Sequence, residues 1–125
     1  MPEATDHKFW IDKICHSRVF SSQSDARLLR YLADATIQDR VLKETVIAID
    51  VFNRDSSFDP GASSIVRSSI FNLRKKLDAY YQHEGSDDSV IVSIPKGGYQ
   101  VVFQHKPARI QFLNRITGIK RVTVL

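Results

Sequence analysis

Residues 63–81 read SSIVRSSIFNLRKKLDAYY, and the spacing inside this stretch decides how the rest of the chain is organised. Val66, Ile70, Leu73, Leu77 and Tyr80 recur at the i, i+4, i+7 interval that gathers side chains on one face of an α-helix. Roughly opposite stand Ser64, Arg67, Ser68, Phe71 and Lys75, flanked by Asn72 and Arg74. Asp59-Pro60-Gly61 precedes a serine pair, so a turn leads directly into a helix N-cap. Arg67, Arg74, Lys75 and Lys76 face Asp78 alone. One face is built to pack, and the other to meet water or something negative.

On the C-terminal side, the helix is expected to end near Gln82 to Gly85, before a polar turn at Ser86-Asp87-Asp88-Ser89. Two short β-rich runs follow, Val90 to Ile94 and Tyr99 to Phe103, around Pro95-Lys96-Gly97-Gly98. That order predicts a hairpin. On the N-terminal side, Asn53 to Ala62 carries loop chemistry, Asn-Arg-Asp-Ser-Ser and then Asp-Pro-Gly. Leu42 to Phe52 is ambiguous: Leu42, Val46, Ile49 and Phe52 fit a helix, while Ile47, Ile49 and Val51 alternate as a strand would. Earlier still, Thr5 or Asp6 can cap a short helix through Cys15 that carries Trp10, Ile11, Ile14 and Cys15 on one stripe. Ser22 followed by Asp25 resembles a capping box for a second helix running to about Gln38, with Leu28, Leu29, Leu32 and Ala35 as its apolar face.

A chain of 125 residues is one domain's worth of protein, and 42% apolar with 26% charged residues places it among globular domains. The single cysteine, Cys15, excludes an internal disulfide framework and suits a reducing cytosol. The opening MPEATD does not read as a signal peptide and no apolar run reaches spanning length, so a cytoplasmic location is expected, with no membrane partner within this chain. The net charge of +4 is unevenly placed. Residues 1–62 hold 8 Lys/Arg against 10 Asp/Glu, whereas residues 63–125 hold 10 against 4. Positive charge begins where the amphipathic helix begins, which points to a polyanion, nucleic acid ahead of membrane.

Ile65-Val66-Arg67, Leu73-Arg74-Lys75-Lys76-Leu77 and Ile94-Pro95-Lys96-Gly97-Gly98-Tyr99 with Phe103 resemble the C-terminal half of an OmpR-type winged helix-turn-helix DNA-binding domain. Leu28-Leu29-Arg30-Tyr31-Leu32, Lys43 through Phe52, and Phe58-Asp59-Pro60 resemble more closely a subgroup that stands at the N-terminus of bacterial one-component regulators. The likeness covers roughly Phe9 to Phe103. It implies an α+β fold in which a helical N-terminal part precedes a C-terminal β-hairpin wing, and it implies that Lys43 to Phe52 is helical. Residues 1–103 would form that domain, and 104–125 a basic tail that is either an extra hairpin or a linker. OmpR-type domains usually begin with a small sheet, whereas this N-terminal third reads as helical. The subgroup also tends to carry arginine around the positions of Phe71 and Asn72.

The expectation is sequence-specific binding of double-stranded DNA in bacterial transcription regulation, with the 63–81 helix in the major groove and the 95–98 turn on the backbone or minor groove. The DNA-binding candidates are Ser64, Arg67, Ser68, Phe71, Asn72, Arg74, Lys75, Lys96 and Gly97. Arg67 has the chemistry to bind guanine in bidentate fashion, Asn72 to pair with adenine, and Phe71 to press on a thymine methyl. Arg74, Lys75 and Lys76 cannot all face one way, so at least one of them is expected on phosphate or in solvent, while Lys96 has the reach for the minor groove or the backbone. RNA polymerase and a second copy of the chain are further partner candidates. Two alternatives stand beside this reading: a winged helix used as a protein-interaction module, and an excisionase-like factor that bends DNA. No cofactor, metal site or enzymatic activity is expected. Lys96-Gly97-Gly98 lacks P-loop spacing, His83, Glu84, Asp87 and Asp88 share one loop without ligand spacing, and no serine or cysteine has an evident base.

Overall fold

A computed structural model describes residues 6–106 of the chain. The described residues form four α-helices followed by a two-stranded antiparallel hairpin, an α+β arrangement. The helices are α1 (His7–Cys15), α2 (Gln23–Ile37), α3 (Glu44–Phe52) and α4 (Ile65–Gln82), with a single 3-10 turn at Arg18–Phe20. The strands are β1 (Val90–Ser93) and β2 (Val102–His105), with Val90 opposite His105 and Ser93 opposite Val102. No helix among the described residues is long and apolar enough to cross a membrane.

The central element is α4. Val66, Ile70, Leu73, Leu77 and Tyr80 are all buried, and α4 packs against α2, α3, the 3-10 turn and β1. Trp10, Ile11 and Ile14 enter this core from α1, Leu28, Leu29 and Leu32 from α2, and Val90, Val92, Ile94 and Val101 from the hairpin. Asp6 caps α1 by accepting a hydrogen bond from the Phe9 N–H at 3.2 Å.

Between Leu42 and Phe52 the helix wins over the strand. Ile47, Ala48 and Val51 share the buried side of α3, so burial overrides the β propensity of Thr45, Val46, Ile47, Ile49 and Val51. Asn53 ends α3 in the left-handed conformation at φ 56°.

Three local expectations need correction. The capping box at the start of α2 does not form: the Ser22 hydroxyl bonds that of Ser24, and Asp25 reaches across to Lys76 of α4. The second strand lies further along than Tyr99 to Phe103. The carbonyls of Ile94, Pro95 and Gly98 accept from Arg74, and the Val101 N–H donates to Thr36 Oγ1 at 3.0 Å. Between Ser93 and Val102 the backbone is therefore tied to α4 and α2. Finally, Ser86 and Asp88 are buried rather than solvated, and Asp88 accepts from the Tyr80 hydroxyl at 2.6 Å and pairs with Lys13.

The fold continues past the boundary expected at residue 103. The His7 ring stacks on Phe103 with centroids 3.9 Å apart, and Lys106 donates its N–H to the Ser89 carbonyl and its Nζ to the Ser86 carbonyl. Of the tail expected at 104–125, residues 107–125 lie outside the described residues, and with them the expected extra hairpin or linker. On the side of β1 away from β2, the Tyr81 hydroxyl donates to the Val90 carbonyl at 3.3 Å and accepts from the Val92 N–H at 2.7 Å.

Candidate nucleic-acid interface

The outer face of α4 is set by its inner one. With five apolar side chains buried at a helical interval, Ser64, Ser68, Phe71, Asn72 and Lys75 are directed outward, and all five are exposed. The Ser64 and Ser68 hydroxyls lie 3.3 Å apart, one helical turn from each other. Phe71 is 55% exposed, an unusual state for a phenylalanine in a helix whose opposite side is fully packed. Lys75, one turn further on, holds its ammonium 4.7 Å from the centre of the Phe71 ring. Among the described residues, no hydrogen-bond partner meets the Asn72 amide.

Arg67 and Arg74 occupy the flank of α4 between this face and the core, and both are committed inside the protein. Arg67 Nη1 donates to both carboxylate oxygens of Glu44 in the first turn of α3, at 3.0 and 2.7 Å. Its Nη2 donates to the Pro60 carbonyl at 3.1 Å and more weakly to that of Ser63. Glu44 is only 16% exposed and also receives the Tyr99 hydroxyl at 3.4 Å, so the cluster ties α3, the 53–64 loop, α4 and the hairpin together. Burial, with the charge of Glu44 second, raises the Tyr99 phenol above its ordinary pKa.

Arg74 donates from Nε to the Ile94 carbonyl at 2.8 Å and from Nη2 to those of Pro95 and Gly98 at 3.2 and 3.1 Å. Of the two arginines named as DNA-binding candidates, Arg67 holds Glu44 with its guanidinium and Arg74 fastens the hairpin turn with its own. Lys76 is bound to Asp25. Of the four α4 cations, Lys75 alone meets neither a carboxylate nor a carbonyl among the described residues.

Lys96 and Gly97 form the exposed tip of the hairpin turn. Gly97 has φ +92°, a conformation that L side chains rarely adopt, and a Cβ there would meet nothing within 4 Å. The constraint on this glycine is therefore backbone conformation, not space. Because Arg74 joins α4 to this turn, the exposed face of the helix and Lys96 belong to one braced unit. An open groove of about 460 Å³ runs beside it between the turn and residues 39–42, lined by Arg40, Val41, Lys96 and Tyr99.

Two contributors escaped the sequence reading. Glu44, 23 residues from Arg67, carries no local signal of its partner. Arg40, which brings a cation to the groove and lies 5.6 Å from the Tyr31 ring centre, sits in a polar connector with no motif. Cys15 is buried, and that burial raises its thiol pKa, which leaves it a packing residue. Asp88 is occupied by Tyr80 and Lys13, and Glu84 accepts from the Arg18 N–H at 2.8 Å, so two of the four polar residues after α4 serve the fold. No family model matches the chain, and no curated protein or solved structure gives a significant match to it.

Proposed function

We propose that this chain is a winged-helix module that binds double-stranded DNA sequence-specifically and serves bacterial transcription regulation in the cytoplasm. In this reading α4 enters the major groove with Ser64, Ser68, Phe71, Asn72 and Lys75 toward the bases and phosphates. The hairpin is the wing, and Lys96 with Gly97 meets the backbone or minor groove. The observation that carries the proposal is the pairing of an exposed α4 face with a wing tip that Arg74 fixes beside it. A major-groove reader needs a helix packed on one side and bare on the other, held in a fixed relation to its second contact. The positive balance of residues 63–125 supports a polyanionic partner.

The test is fluorescence anisotropy on random and library-selected duplexes across a salt series. Wild type should enrich a motif, and log K should fall linearly with log salt, by about 0.9 for each phosphate neutralised. Lys75→Ala and Lys96→Ala should each reduce that slope by about one phosphate where the residue touches the backbone. Absence of duplex binding at low salt refutes the proposal. One observation favours a second reading, a protein-interaction module: Phe71 is the most exposed aromatic of the described core helices, and exposed aromatics anchor protein interfaces.

A further inference from the structure

We infer that the outer face of α4 selects A·T pairs through the thymine methyl, with Phe71 as the residue that reads it and no arginine reading guanine. The inference rests on the DNA-binding function proposed above and narrows its substrate.

Guanine is recognised in the major groove by a guanidinium or ammonium aimed at O6 and N7. Neither arginine of α4 is placed to do this. Both terminal nitrogens of Arg67 are engaged, one by the Glu44 carboxylate and the other by loop carbonyls. Withdrawing Arg67 would leave Glu44, 16% exposed, without its charged partner. Arg74 uses its Nε and Nη2 on the hairpin turn. Lys75 holds its ammonium over the Phe71 ring, which places the charge beside an apolar group.

What remains at the centre of the exposed face is an aromatic ring, a hydroxyl three residues before it at Ser68, and the amide of Asn72. The major-groove edge offers one apolar protrusion, the C5 methyl of thymine. Cytosine has only hydrogen at that position. A ring that is 55% exposed in the free protein gains by covering that methyl and loses by covering the polar edge of a G·C pair. The Asn72 amide, with a donor nitrogen and an acceptor oxygen on one carbon, matches adenine N7 and N6 on the partner base or a neighbouring pair. Lys75 covers one face of the Phe71 ring, so the methyl is received on the opposite face or the edge.

Base analogues that change single atoms of the duplex test this. The full chain is used to select a motif from a random duplex library, and the selected duplex is then synthesised in three further forms. Deoxyuridine in place of thymidine removes only the C5 methyl, 5-methylcytosine in place of cytosine adds one, and 7-deazaguanine removes the guanine N7 acceptor. The expected motif is A·T-centred. At one thymidine the deoxyuridine form should bind wild type about fourfold more weakly, the effect of one buried methyl. The 7-deazaguanine form should bind as the parent does. Phe71→Ala should bind the thymidine and deoxyuridine forms equally while keeping its circular dichroism spectrum and its salt slope. Phe71→Leu, which restores an apolar group, should recover part of the discrimination.

Equal wild-type binding to the thymidine and deoxyuridine forms overturns the inference, as does a loss on 7-deazaguanine substitution or unchanged discrimination in Phe71→Ala. In each case DNA binding itself stands. Phe71 is then a protein-contact residue if its loss leaves every duplex affinity intact. Failure of wild type to enrich any motif overturns the inference and the sequence-specific function beneath it.

Discussion

Replacing Arg74 by alanine separates a structural arginine from a DNA-contacting one. The Nε bond to the Ile94 carbonyl is 2.8 Å long, partly buried and made by a charged donor, a type worth about 1.5–3 kcal/mol. The two Nη2 bonds, to Pro95 and Gly98, are exposed, and water replaces them at a cost of about 0.5 kcal/mol each. Arg74→Ala should therefore destabilise the fold by about 2.5–4 kcal/mol. For a domain of this size each kcal/mol lowers Tm by about 4–8 °C, so the Tm followed by circular dichroism should drop by roughly 10–30 °C. Arg74→Lys should recover only a fraction, since a single ammonium cannot span three carbonyls. A phosphate-binding arginine behaves in the opposite way, with unchanged Tm, a salt slope shallower by about 0.9, and substantial rescue by lysine. That second pattern would refute the assignment of Arg74 to the hairpin turn.

Three other outcomes follow from the core. Leu73 is fully buried, so Leu73→Ala should lower the unfolding free energy by about 2–5 kcal/mol in urea titration, against wild-type stability for Lys96→Ala. Gly85→Ala would set a Cβ 2.1 Å from Cε2 of Tyr80, whose hydroxyl is held by Asp88, and the displaced ring should cost about 1–3 kcal/mol by the same titration. Burial first, and the hydrogen bond to a carboxylate second, pushes Tyr31 up to about 12 and raises Tyr80 further; burial alone dominates the rise at Tyr81. A phenol whose folded pKa exceeds its unfolded value of about 10 contributes its full stability below pH 10, and that stability is lost as pH climbs through the folded value. The free energy of unfolding should fall above about pH 10, by up to about 1.4 kcal/mol per pH unit for each such tyrosine, and phenolate absorbance should rise together with unfolding. Tyrosines that ionise in the intact fold near pH 10 would contradict this.

The inner face of α4 was legible in the sequence because five apolar residues at one interval across 18 positions leave a single way to pack. The hairpin was legible from Pro95-Lys96-Gly97-Gly98 between β-rich runs, although its strands were not. Arg74 and Thr36, which hold backbone groups on either side of the turn, are distant in sequence and give no local signal there. The same holds for the site. That α4 has an outward face follows from periodicity, but which cation on it is available depends on Glu44 and Asp25, 23 and 51 residues away from their partners. Periodicity specifies direction, and only tertiary placement decides whether a charge directed outward has already been neutralised. At Glu44–Phe52 the β-branched content favoured a strand and the periodicity fitted either state, whereas the resemblance implied the helix that is observed.

The Tyr81 hydroxyl has a consequence for the solubility of the molecule. A two-stranded hairpin leaves each strand with one row of backbone donors and acceptors unmatched, and such a row is a template for another chain. On β1 the groups pointing away from β2 include the Val90 carbonyl and the Val92 N–H, and one phenol satisfies both. The ring arrives from α4, so the helix that supplies the exposed face also seals the sheet edge behind it. A Tyr81→Phe protein would keep the packed ring and expose that pair of groups at the border of an apolar strand. Edge-to-edge association, visible as concentration-dependent light scattering, is the failure this hydroxyl guards against.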